Sequence, residues 1–212
     1  MSELQRITVE YIEAEDRFRL IGEIQTRDTH DDTPDSPDAD KVDEGDKIDQ
    51  RDESDESDES DHAETVTLWV TQRLLLRLLP LLFEWLQQLS PEAIKNPSRD
   101  TQANKLLQGF AQQAAAEQIP QQRPVQSQAD TPSWLVNEVD IVRPAAWVKL
   151  IFKGHNGEQA SFALEGKQLR QWLSIVHNSW IQAEWPTTIW PAWIHEAEPA
   201  TETETKSGKA LH

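Results

Sequence analysis

Two stretches of this chain read alike, and that likeness narrows its fold more than any other property. Residues 5–24 together with 65–89 run strand, strand, strand, helix, and residues 134–185 run the same way. The closing helices match without gaps: Leu74 falls on Leu169, Leu78 on Leu173, Leu81 on Val176 and Trp85 on Trp180. A βββα unit of this size buries too little apolar surface by itself, so the two copies are expected to share one core.

The elements follow from periodicity. Ile7, Val9 and Tyr11 alternate with Thr8 and Glu10, as in a strand with one buried face, and Phe18, Leu20 and Ile24 continue on a second strand. Thr65 to Val70 reads as a third. In the second copy, Trp147–Lys153 and Gln159–Leu164 flank Gly154-His155-Asn156-Gly157, whose Asn-Gly pair favours a tight hairpin. Where the first copy needs the corresponding turn, the chain instead carries residues 25–64.

That segment holds most of the charge. The whole chain has a formal net charge of −18, and residues 25–64 supply −14 of it, with three consecutive Asp-Glu-Ser triplets from Asp52 to Ser60. Such a composition cannot bury enough apolar surface to offset the entropy of ordering, so the segment is expected to be a disordered insertion in a hairpin. The remaining chain is nearly neutral and shows no basic stripe, which argues against direct binding to a nucleic-acid backbone.

Helix patterns are clear in three places. Over Gln72–Leu89, Arg73, Arg77, Pro80, Glu84 and Gln87 form one polar stripe on an otherwise apolar helix. Arg77 and Glu84 interrupt the apolar run well short of the roughly 20 residues a bilayer requires, so no membrane span is expected. Residues 100–118 suggest an extra helix, capped by Asp100, with Leu106, Leu107, Phe110 and Ala114 on one face. Lys167–Trp185 places Leu169, Trp172, Leu173, Val176 and Trp180 on an apolar stripe, leaving His177 on the polar side as a surface histidine.

The expected fold is α+β: two tandem βββα repeats forming one pseudo-symmetric antiparallel sheet of six strands, with helices packed on one face. Residues 1–24 and 65–118 make the first repeat with its extra helix, 25–64 the acidic insertion, and 119–133 a linker rich in Pro, Gln and Ser. Residues 134–193 make the second repeat with a Trp-rich strap, and 194–212 a flexible tail.

No reaction is written in the residues. The chain has no cysteine, which excludes disulfides, thiolate metal sites and a cysteine nucleophile. Its six histidines lack metal-ligand spacing, and there is no GxSxG, P-loop or GxGxxG pattern. The strand carboxylates Glu10, Glu138 and Asp140 occupy outward positions. No cofactor and no metal are expected, and the absence of a basic, then apolar, leader points to a cytoplasmic protein.

Two features invite a partner. Trp185, Trp190 and Trp193 stand within nine residues that also hold two prolines; they either close the core as a strap or anchor another protein. Asp52, Asp55, Asp58 and Asp61 offer an extended negative run to a basic partner. The resulting expectation is a non-enzymatic protein-binding module, of the adaptor, assembly-factor or chaperone kind. The alternative is a small-ligand-binding or enzymatic domain with its site in the cleft between the two repeats.

Overall fold

The computed structural model describes residues 2–25, 64–89 and 101–195. Strands β1 (Ser2–Ile12) and β2 (Arg17–Ile24) are joined by a single turn of 3-10 helix at Glu13–Glu15. Asp16 closes this connection in the left-handed region, at φ 46°. Strand β3 (Thr65–Thr71) follows, and its last residue caps α1 (Gln72–Gln88): Leu74 N–H donates to Thr71 Oγ1 at 3.3 Å. This satisfies one of the helix's orphan amides. Pro80 lies on the exposed polar stripe of α1, where the missing amide faces water.

Helix α2 (Thr101–Ala116) precedes β4 (Ser133–Leu135), β5 (Glu138–Val142), β6 (Trp147–Lys153) and β7 (Gln159–Glu165). The expected hairpin joins β6 to β7, with Gly157 at φ +86° in the turn. Helix α3 (Gly166–Gln182) then opens on a reciprocal cap between Glu165 and Gln168. A 3-10 turn at Thr187–Ile189 and the one-turn α4 (Ala192–His195) complete the described chain.

Among the described residues the strands form one sheet in the order β4-β3-β2-β1-β7-β6-β5. The sheet is mixed, not antiparallel as expected: β1 pairs with β7, and β3 with β4, in parallel. Both parallel contacts are short. Strand β1 pairs with β2 from Leu4 to Ile12 on one edge, with an irregularity at Leu4/Arg6, and with β7 only at Ser2–Leu4 on the other. Residues 133–142 change partner along their length. Val136 N–H donates to Trp69 O on one side at 2.9 Å, and Asn137 N–H to Lys153 O on the other at 2.9 Å. The first and last strands of the sheet are thus two parts of one continuous segment, and the sheet curls until its ends meet.

One face of the curled sheet is apolar and takes α1 and α3. Phe18, Leu20, Leu68, Val70, Val148, Leu150, Phe152 and Phe162 from the strands join Leu79, Leu82, Leu86, Leu169, Leu173 and Trp180 from the helices in a single cluster. The register keeps these side chains in rows, with Tyr11 opposite Phe18 and Phe18 opposite Val70. The helix register differs from the gapless match expected above. Leu169 is wholly buried but Leu74 only in part, and Leu81 is exposed where Val176 is buried. The burial patterns instead align Leu75 with Leu169, Leu79 with Leu173, Leu82 with Val176 and Leu86 with Trp180.

Of residues 119–133, expected as a linker, 119–132 run as a strap across the outer face of the sheet and Ser133 opens β4. Val125 is buried there and its N–H donates to Thr8 Oγ1 at 2.7 Å. Thr65 and Thr131 share a hydroxyl hydrogen bond of 2.9 Å, and Thr67 N–H donates to Pro132 O at 2.8 Å. These side-chain and edge bonds hold a segment whose composition alone predicts no regular structure.

Candidate functional site

Helix α2 sits on the body the wrong way round. Its stripe of Ala103, Leu106, Leu107, Phe110 and Ala114 points to solvent, with Leu106 52%, Leu107 44% and Phe110 67% exposed. Gln108 and Gln112, on the opposite side, are only 3% and 1% exposed. A surface helix ordinarily buries its apolar stripe and solvates its polar one. The sequence reading of Leu106, Leu107 and Phe110 as one apolar face holds, but the face is turned outward.

The reason lies in what α2 meets. Its inward side lands on α3 and α4 at a polar seam. Gln112 Nε2 donates to the Arg170 carbonyl oxygen at 2.9 Å and to Ser174 Oγ at 2.8 Å. Arg170 Nη2 donates to Gln108 Oε1, and Gln171 Nε2 to Gln118 O at 2.7 Å. The guanidinium also lies over the Trp193 ring, 5.5 Å from its centroid, a cation–π contact. Burial pushes the Arg170 guanidinium down to about 10. Specific hydrogen bonds therefore fix which side of α2 faces in, leaving the apolar stripe without a partner among the described residues.

The tryptophan strap is placed differently. Trp185, Trp190 and Trp193 are 7%, 5% and 3% exposed, so in this conformation the rings close the core and present little surface to another molecule. Trp185 stacks on Phe18 with ring centroids 4.9 Å apart, and its Nε1 donates to Asp16 Oδ1 at 2.9 Å. Trp180 Nε1 donates to Pro186 O at 3.1 Å. The same strap corrects the reading of His177. Expected at the surface, His177 is 2% exposed, because residues 185–193 fold back over that side of α3 and set the Trp190 ring edge-on to the imidazole at 4.8 Å.

The strand carboxylates are engaged in ion pairs on the outer face. Glu10 Oε2 receives Arg19 Nη2 at 2.6 Å. Lys153 Nζ reaches Asp140 at 2.6 Å and Glu138 at 3.1 Å. The hydrogen bond from Lys153 holds the Asp140 carboxyl below its ordinary value, and the same contact raises the Lys153 ammonium. Glu10 lies at a distance along β1, so the structure does not gather the three into one site. Among the described residues no group of three or more His, Asp or Glu is arranged to hold a metal ion, and no helix is long and apolar enough to cross a membrane.

Asp52, Asp55, Asp58 and Asp61, the expected Asp100 cap and residues 196–212 lie outside the described residues. The ends of the acidic segment, however, are placed: Ile24 N–H donates to Glu64 O at 2.8 Å, and Glu23 pairs with Thr65. The segment therefore leaves and re-enters at one hairpin end. Comparison of the chain with known protein families, curated proteins and solved structures returns no match.

Proposed function

We propose that this protein is a non-enzymatic protein-binding module whose docking element is the outward face of α2. The observation that carries this reading is the helix's inverted orientation. Ala103, Leu106, Leu107, Phe110 and Ala114 repeat at i, i+3, i+4, i+7 and i+11, the spacing of anchors that a helix lays into an apolar groove. The three large side chains leave on the order of 300 Å² of apolar surface open. That is well below the roughly 1,000 Å² or more that each subunit buries in an obligate homodimer. A convex helix inserted into a partner's groove fits this area better than a second copy of the chain.

The partner's charge is argued from the acidic segment. A net charge of −14 within residues 25–64 raises the encounter rate with a basic protein at low salt. The docking helix then supplies the lifetime of the complex and the acidic segment its formation rate. The test is a pull-down from the native host with the parent chain and with Leu107→Glu/Phe110→Glu, followed by rate measurements on the recovered protein across a salt series. The expected result is a basic partner lost in the double variant, with association slowed by salt and dissociation little changed. Partners retained by the double variant, association indifferent to salt, or dimerisation of the parent chain through α2 would overturn the reading.

We further infer that the body is built from two βββα units, β1-β2-β3-α1 and, with β4 and β5 as the two parts of one segment, β4/β5-β6-β7-α3. Three features support this reading. The successions of elements are the same, each unit meets the other through a short parallel contact, and the buried positions of α1 recur in α3. With β1 beside β7 and β3 beside β4, the outer strands of each unit adjoin those of the other.

A further inference from the structure

Where β1 and β7 stop pairing, the sheet opens. Their parallel contact ends at Leu4 and Phe162, and beyond it the two strands diverge beneath the strap. The gap is a cavity of about 340 Å³ between β1, β7, α3 and residues 119–125. Its volume lies within the range of small-molecule sites. At roughly 30 Å³ for each water-sized group, it has room for about eleven of them.

The lining is divided by chemistry. Ile7, Phe162, Trp172 and Ile175 make an apolar interior, while Arg6 and Arg123 are the two cationic residues among the lining, one on β1 and one on the strap. Arg6 is bound through Nε to Glu23 at 2.6 Å. Arg123 is exposed and has no ion-pair partner among the described residues. The Trp172 indole Nε1 is buried and has no acceptor among the described residues.

We propose that this cavity binds a small monocarboxylic acid with an apolar body, such as an arylalkanoate or a medium-chain alkanoate. The apolar body fills the space against Phe162, Trp172 and Ile175, and the carboxylate meets the Arg123 guanidinium, which can bind it with two parallel hydrogen bonds. The strap supplies both the cation and one wall. Its fixed points beside the cavity are the Val125–Thr8 and Gln171–Gln118 hydrogen bonds, so the site is built where it can be entered without opening the core.

The experiment uses the full chain labelled with 5-fluorotryptophan and titrated with 3-phenylpropionate or octanoate. Calorimetry gives the affinity, and fluorine NMR gives the location, with the Trp172 resonance assigned by its loss in Trp172→Phe. The expected result is saturable binding that moves the Trp172 resonance and leaves that of Trp85 in place. Arg123→Glu, a change at an exposed position, is expected to weaken binding at least tenfold, and the neutral 3-phenylpropanamide to bind at least tenfold more weakly than the acid. Any of four results overturns the proposal: no saturable binding at millimolar acid, an unmoved Trp172 resonance, unchanged affinity in Arg123→Glu, or equal affinity for the amide.

Discussion

The orientation of α2 reverses the ordinary ranking of mutational costs, and that reversal can be measured. Gln112→Ala removes two hydrogen bonds, to the Arg170 carbonyl and Ser174 Oγ, from a position only 1% exposed. At about 1 kcal/mol each these account for about 2 kcal/mol. Loss of one packed methylene adds about 0.8 kcal/mol, and removing the side-chain oxygen, which is buried without a partner, returns roughly 1 kcal/mol. The expected loss is therefore about 2 kcal/mol, equivalent to a Tm drop of roughly 4–8 °C for a domain of this size. Phe110→Gln, at a position 67% exposed, forfeits only about a third of a phenylalanine's burial, or less than about 1 kcal/mol. Urea melts at 25 °C, followed by tryptophan fluorescence and far-UV circular dichroism at low protein concentration, separate the two. If Phe110→Gln costs more than Gln112→Ala, α2 is docked by its apolar side in solution and both its orientation and the proposed docking face are wrong.

Two further outcomes follow from the outer face and the hairpin end. Asp140 is held below the ordinary carboxylate value by Lys153, so its contribution to stability is present above that ordinary value and is lost as pH falls through the lowered one. A carboxyl-carbon NMR titration should place the Asp140 midpoint below the usual range, and Lys153→Met should return it upward; an unmoved midpoint would show that the ion pair does not form in solution. Deleting residues 28–62 and closing β2 to β3 with an Asn-Gly turn should preserve cooperative unfolding, because Ile24 and Glu64 are already hydrogen-bonded. Shortening that loop by about two and a half doublings should stabilise the fold by about 1.5 kcal/mol, and loss of the cooperative transition would assign the acidic segment a structural role.

The parts of the fold legible in the residues are those governed by local rules. Alternation in Ile7, Val9 and Tyr11 marks β1, the Gly154–Gly157 turn marks the β6–β7 hairpin, and the apolar stripes mark α1 and α3. The parallel contacts were not legible, because three residues at Ser2–Leu4 carry no signal for a partner as remote as Ala160–Phe162. The amphipathic pattern of α2 locates a helix but cannot say which face turns inward; the hydrogen bonds of Gln108 and Gln112 decide that, and they depend on where α3 lies. His177 looked exposed for a related reason, since the element that covers it comes after its own helix. The strap at 119–132 is ordered by single bonds to Thr8 and Thr65, which leave no periodicity to read. Of the candidate site, the three apolar anchors on α2 were visible as a face, and the cavity beneath the strap was not.

The pairing of Ser2–Leu4 with Ala160–Phe162 also sets an order of events during synthesis. β1, β2 and β3 can form their antiparallel contacts early, yet the edge of β1 that faces away from β2 at Ser2–Leu4 has no neighbour until β7 has left the ribosome. The Phe18 ring waits longer still, for Trp185 to stack on it. Contacts so distant along the chain slow folding, because loop-closure entropy is paid before they form. The emerging N-terminal part must therefore persist with an unpaired strand edge, a state prone to association with other chains. The −14 segment between β2 and β3 is translated within that same interval, and its charge repels like copies while the fold is incomplete.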